Sequence, residues 1–243
     1  MRSFLLMLSF FTRLPVIQVV YEEKTYIRGI KYVPFIGLLM GLLLYGVSFI
    51  GLFLDQPMVT LLLILAYILL TGALHLDGLA DTCDAVFSGR SRERMLMIMR
   101  DSHIGVYGVL SIGFWLLFHA VILGLIPYSA LIIMPMVGKA APILSARFGP
   151  YVREEGLGKV FADNCRGLTV GIAILLPLLV SLFIEPYYML AVVIALLFVL
   201  FMTGWLKRTI GGITGDTMGF VCELSQMLFL FVVYVTHLLL AGI

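Results

Sequence analysis

VPFIGLLMGLLLYGVSFIGLFL, residues 33–54, runs for 22 positions without a charged side chain. About 20 apolar residues in a row suffice for a helix to cross the hydrocarbon core of a bilayer, where backbone polar groups must bond within their own segment. The stretch therefore reads as a transmembrane helix. The same rule picks out six more, at 58–75, 104–126, 128–148, 168–184, 187–206 and 218–240. The predicted fold is all-α, a polytopic integral membrane helical bundle of about seven transmembrane helices, with residues 1–243 as a single membrane-embedded domain. Composition agrees: 62% of residues are hydrophobic and 12% charged, against roughly 25% charged in soluble domains, and mean hydropathy is +1.11.

The opening MRSFLLMLSFFT pairs a basic residue with an apolar run, as a signal peptide does, but it lacks a small-x-small cleavage site and is followed at once by Arg13 and Pro15. It is read as a retained amphipathic or half-inserted helix. Cys83, Cys165 and Cys222 are scattered without a CxxC pair, so neither a disulfide framework nor a zinc site is implied. A net charge of +2 gives no argument for nucleic acid.

The distribution of charge is more telling than its sum. Of the 16 basic residues, 15 fall in the N-terminal segment and in the loops after the second, fourth and sixth predicted helices. The opposite loops carry only Asp55 and Glu185. By the positive-inside rule the basic side is cytoplasmic, which puts the N-terminus inside and, with seven spans, the C-terminus outside. Lys139 is the exception, within the fourth predicted helix. It either snorkels toward the cytoplasmic end or partners a bound anion.

One segment on the basic side has chemical capability, HLDGLADTCDAVFSGRSRERMLMIMRDSHIGVYG at 75–108. In a helix Asp77, Asp81 and Asp84 fall at i, i+4 and i+7 and share a face. Three stacked carboxylates repel one another and call for a compensating cation. Hard oxygen ligands suit Mg²⁺, which is commonly held by one or two carboxylates together with substrate phosphates. The competing reading is a solvated interfacial cap facing Arg90, Arg92, Arg94 and Arg100. Residues 91–100 mix arginines with Met95, Leu96, Met97, Ile98 and Met99, as a helix lying in the interface does. His75 either orders the carboxylates or is merely an interfacial polar residue. A second polar island, GGITGDTMG at 211–219, places Thr214 and Asp216 in a glycine-rich turn on the same predicted side, and Glu223 lies a short way into the following span, where a buried acid is expected to have a partner or a function.

These residues carry a resemblance. SFFTRLPV at 9–16, HLDGLADTCDAVF at 75–87, RSRERMLMIMRDSHIGVYG at 90–108, YVREEGLGKVF at 151–161 and LKRTIGGITGDTMGF at 206–220 resemble the cobalamin synthase family, adenosylcobinamide-GDP ribazoletransferase, over most of the chain. The resemblance implies an enzyme of the bacterial cytoplasmic membrane, multi-pass, with a cytoplasmic active site. It implies Mg²⁺ and the joining of adenosylcobinamide-GDP to α-ribazole, or to α-ribazole 5'-phosphate, with release of GMP. On it, Asp77, Asp81, Asp84 and Asp101 are expected as metal ligands, with Asp81 and Asp101 the catalytic carboxylates. His75, Arg94, Arg100, Ser102, Lys139, Thr214, Asp216 and Glu223 are expected around the phosphates and substrate. The partners implied are these small molecules and the lipid bilayer, with homo-oligomerisation left open. Two positions depart from the family pattern: Ala85 stands where glycine is expected, and His103 where arginine is frequent. The second ties any phosphate contact at 103 to the protonation of an imidazole.

Two other classes compete. A cation-coupled transporter also binds ions through acids, but such sites usually lie at the bilayer midplane between internal repeats, and no convincing inverted repeat occurs here. A membrane phosphotransferase of the CDP-alcohol kind also uses aspartates, but its DG-x-x-AR continuation is missing, since Ala80 is followed by Asp81.

Overall fold

A computed structural model describes residues 1–17 and 19–242. Its twelve α-helices, among the described residues, are α1 (Arg2–Phe11), α2 (Glu23–Gly29), α3 (Val33–Ser48), α4 (Gln56–Thr71), α5 (Leu74–Val86), α6 (Arg92–Ile98), α7 (Val106–Ile122), α8 (Ala130–Phe148), α9 (Leu157–Asn164), α10 (Leu168–Ile184), α11 (Tyr188–Thr209) and α12 (Gly215–Ala241). A helix occupies each of the seven predicted segments. Four helical stretches are long and apolar enough to cross a membrane alone: Glu23–Leu52, α8, α11 and α12. Two more qualify as bent pairs, α4 with α5 at 90° and α9 with α10 at 84°. The helix in the third predicted segment, α7, is apolar but has 17 residues. The chain is an all-α, multi-pass membrane protein.

The bundle is built around α8, in which every residue from Ala130 to Ala146 is buried. Such a helix needs close neighbours on all sides, and small residues supply them. Gly37 and Gly41, one turn apart on α3, lie directly on the α8 backbone at Pro135, Met136 and Ile132, where a β-carbon would have no room. This is the small-xxx-small packing that lets membrane helices approach closely without a hydrophobic driving force. The outer faces have the opposite character. Leu110, Phe114 and Leu117 on α7, and Leu175, Leu179 and Leu182 on α10, are exposed at helical spacing, as expected of surfaces solvated by lipid.

The bend between α4 and α5 positions the polar segment. Gly72 (φ 60°) and Ala73 (φ 58°) both adopt the left-handed conformation, which for alanine costs roughly 1–2 kcal/mol. Neighbouring groups hold the strained turn. The Arg13 amide donates to Leu70 O at 2.8 Å, the Arg13 side chain lies over Gly72, and the Ala73 amide donates to Thr71 Oγ1 at 3.2 Å. Thus the TRLP stretch near the N-terminus clamps the turn that swings α5 away from the direction of its span.

Candidate active site

α5 docks on the first turns of α12 with almost no space between the backbones. Gly78 sits against the Asp216 backbone and Gly219 against that of His75. The glycine of HLDGLADT is therefore required by close approach, and it brings Asp216 beside Asp77 and Asp81. Around this crossing, Asp77 is exposed while Asp81 and Asp216 are half-buried. Thr214 caps α12, its Oγ1 accepting from the Thr217 amide at 3.2 Å while Thr217 Oγ1 accepts from the Thr214 amide at 2.7 Å. Thr214 is fully buried and occupied in this capping box, so its contribution is to aim Asp216.

Asp216 Oδ2 accepts from Arg153 Nη2 at 2.6 Å. Arg153 was not singled out in the sequence. It arrives on a loop pinned to the glycine-rich turn, where the Ile213 amide donates to Pro150 O (2.9 Å) and the Val152 amide to Ile213 O (3.0 Å). Its Nε is buried and has no partner among the described residues. The acids outnumber it: Asp81 has Asp77, Asp84 and Asp216 as charged neighbours, against Arg153. α5 has turned 90° from α4 here, and its acid face is short of positive charge.

The other predicted acids are placed differently. Asp84 caps α7 from a distance, its Oδ2 accepting from the Gly105 amide at 2.7 Å and its Oδ1 from the Gly108 amide at 2.8 Å. A β-carbon on either glycine would run into that carboxylate. Asp101 lies in the loop between α6 and α7, exposed, with Oδ1 2.6 Å from His103 Nδ1. The two shift each other: the bond from His103 holds the Asp101 carboxyl below its ordinary value, and the bond to Asp101 raises the His103 imidazole. Asp84, Asp101, His103, Arg90 and Arg94 line one open groove of about 790 Å³. Arg100 and Ser102 are exposed at the edge of this loop and do not line the groove. On the far side of the acid row, Asp77, Asp216 and His75 border a smaller cavity of about 180 Å³. Asp77, Asp81 and Asp216 thus sit together, Asp84 marks the edge of the groove, and Asp101 belongs to the groove.

Beneath the crossing lies a buried polar network. Lys139 Nζ is 3.1 Å from His75 Nδ1 and 5.3 Å from the centre of the Phe11 ring. Glu223 accepts from Tyr67 Oη at 2.7 Å and Trp115 Nε1 at 2.9 Å, and Gln226 Nε2 donates to Tyr67 Oη at 2.8 Å. Lys139 is 1% exposed, so it does not snorkel. Its partner is within the protein. Among the described residues, His75, Cys222 and Glu223 are the one group of three potential metal ligands whose atoms lie within 4.8 Å of one another. Lys139 bonds directly to one of them, and a second already serves two donors. That arrangement suits an internal network better than an ion.

The model of the cobalamin-5-phosphate synthase family matches residues 3–234. The chain is 38% identical over 239 residues to a protein of Alkaliphilus oremlandii named adenosylcobinamide-GDP ribazoletransferase, covering 96% of this chain and 97% of that one. It is 40% identical over 242 residues to the protein of the same name from Acetivibrio thermocellus, covering 96% and 98%. A third of that name, from Fusobacterium nucleatum, is 34% identical over 267 residues, covering 95% and 96%. No solved structure matches.

Proposed function

This chain belongs to the cobalamin-5-phosphate synthase family and is a transferase of cobalamin synthesis, and from that premise we propose that it joins adenosylcobinamide-GDP to α-ribazole or α-ribazole 5'-phosphate, releases GMP, and uses Mg²⁺. The observation that carries this reading is the unbalanced charge at the α5–α12 crossing, where Asp77, Asp81 and Asp216 face a single arginine, Arg153, whose Nε still lacks an acceptor. A divalent cation and a phosphate oxygen satisfy both needs.

In this reaction a hydroxyl oxygen of the ribazole forms a bond to the corrinoid-linked phosphorus. The bond from that phosphorus to the bridging oxygen breaks, and its electron pair leaves with GMP. Asp77, Asp81 and Asp216 would hold Mg²⁺, which when bound offsets the charge that builds on the phosphate oxygens. Arg153 holds Asp216 and offers its free Nε–H to a phosphate. Arg90 and Arg94 line the groove for the nucleotide end, where guanidinium groups bind phosphate with paired hydrogen bonds. Asp101, ionised and held by His103, orients the attacking hydroxyl and receives its proton. Asp84 keeps the α7 end of the groove in place through its cap. Lys139 and Glu223 support the crossing from below.

The whole chain acts as one catalytic domain in the bacterial cytoplasmic membrane, with the N-terminus and the acid row on the cytoplasmic side, the side that the basic loops favour. Purified protein with adenosylcobinamide-GDP and α-ribazole, with and without EDTA, tests the reading by GMP release. Release that EDTA leaves unchanged removes the metal, and no release at all with Mg²⁺ present removes the transfer.

A further inference from the structure

The cavity beside Asp77 has walls that a metal and phosphate site does not require. Phe10, Phe11, Tyr26, Leu74, Phe161 and Met218 supply them. The rings are fixed by edge-on contacts: Phe10 meets Phe11 at 5.0 Å and Tyr26 at 5.9 Å, and Phe11 meets Phe161 at 6.4 Å between centres. Such a box favours a flat aromatic guest, which gains stacking and edge contacts beyond its buried area. Its volume of about 180 Å³ lies below the roughly 300–1,000 Å³ of sites that enclose a whole drug-sized ligand. It admits a fused ring pair and excludes a corrin macrocycle.

His75 adds a polar group to this lining. Its Nδ1 lies 3.1 Å from Lys139 Nζ; with Lys139 as an ammonium, which can only donate, Nδ1 is the acceptor and the imidazole proton is on Nε2. The cavity therefore has aromatic walls, an imidazole N–H, and two acids, Asp77 and Asp216, on its border. The open groove with its arginines begins at Asp84, seven residues further along α5, or about 10 Å of helix. The acid row joins an aromatic compartment to a cationic one.

Resting on the ribazole transfer proposed above, we infer that the aromatic cavity seats the planar base of the acceptor. The benzimidazole of α-ribazole lies among Phe10, Phe11, Tyr26 and Phe161. His75 Nε2–H donates to the ring nitrogen that does not carry the sugar, and the ribose leaves the cavity beside Asp77 and extends along the acid row toward the groove that holds Asp101. Lys139 is then a positioning residue, because it fixes which nitrogen of His75 carries the proton. The two substrates dock from opposite ends of one acid row, the base in the cavity and the guanosine diphosphate arm in the groove.

Steady-state kinetics with each substrate varied in turn tests this, alongside equilibrium binding of α-ribazole alone. Phe161→Ala removes one wall. Gly215→Leu adds bulk at a lining position where a new β-carbon meets nothing within 4 Å, and it decides the matter should Phe161→Ala fail to fold. In both, the KM and Kd for α-ribazole rise about tenfold, the scale of one lost or blocked aromatic contact, while the KM for adenosylcobinamide-GDP stays within about twofold. Unchanged α-ribazole values in a protein that turns over normally overturn the cavity assignment. A wild-type protein that releases no GMP, yet binds α-ribazole more tightly than the variants do, overturns the transfer reading and leaves the base seat standing.

Discussion

The two charged clusters at the α5–α12 crossing, one above it and one below, are solved in opposite ways. Below, Glu223 has Tyr67 and Trp115, Lys139 has His75, and Gln226 closes on Tyr67. Above, Asp77 and Asp81 gather beside the Asp216–Arg153 pair, and among the described residues Arg153 Nε is unpaired. A buried polar network in a lipid-embedded bundle is tolerated only when its members are paired internally. A half-exposed cluster can remain unbalanced because water, and then ligand, completes it. Under the proposed function, the difference separates the cluster that holds the helices together from the one that meets the substrate.

The largest effect expected from breaking this division is on the lower cluster. Glu223→Leu strands the Tyr67 and Trp115 donors and leaves Lys139 without its nearby acid. Removing one member of a buried charged group costs roughly 3–5 kcal/mol. Thermal unfolding in detergent should show the loss directly, and a variant as stable as the parent refutes the structural role. Asp77→Asn above the crossing should do the reverse, leaving the unfolding midpoint nearly unchanged while kcat falls roughly 10²–10³-fold, the scale for losing one preorganised electrostatic contact to the transition state. A Mg²⁺ titration shifted to higher concentration accompanies it. Near-normal turnover in Asp77→Asn removes the acid row from the mechanism.

Gly78 links the two clusters, and its substitution sharpens the comparison. An added β-carbon would lie within 2.5 Å of the Asp216 carbonyl oxygen and also press on that residue's Cα, so backbone rather than a flexible side chain must yield. Gly78→Ala should cost about 1–3 kcal/mol through overpacking, and it should also lower kcat by moving Asp77 and Asp216 apart. A loss of stability with unaltered kinetics shows that the spacing of the acids is not critical.

Much of this was legible in the sequence, for identifiable reasons. Apolar runs of about 20 residues announce membrane helices because lipid imposes one solution on the backbone, and each of the seven runs is helical. The positions of Asp77 and Asp81 one turn apart were readable because they depend only on local helical period. The 90° turn at Gly72 and Ala73 was not. Glycine there is an ordinary turn signal, but a left-handed alanine has none, since Arg13, nearly 60 residues upstream, helps to hold it. Asp84 shows the same limit. Its spacing matches a metal ligand, yet its carboxylate bonds to amides 21 and 24 residues downstream. No local pattern marks Arg153, because its partner Asp216 lies 63 positions away. Lys139 could not be assigned before its neighbours on α5 were known. Pairing across the bundle is what local periodicity leaves out.

The smallest effect concerns His103. Asp101 raises the imidazole above its ordinary value of 6.5, so the charged form is fully present below that value and is lost as the pH climbs through the raised one. Arg90 and Arg94 share the groove, so a protonated His103 adds one cation for the incoming diphosphate. The KM for adenosylcobinamide-GDP should therefore rise with pH from neutrality upward, by no more than about fivefold because the contact is exposed and screened. His103→Arg should flatten the profile over the same range, since a guanidinium does not titrate there. Asp101→Asn should move the inflection down toward the ordinary histidine value, whatever it does to kcat. Coincident KM profiles for the parent and His103→Arg would show that residue 103 makes no contact with the phosphates.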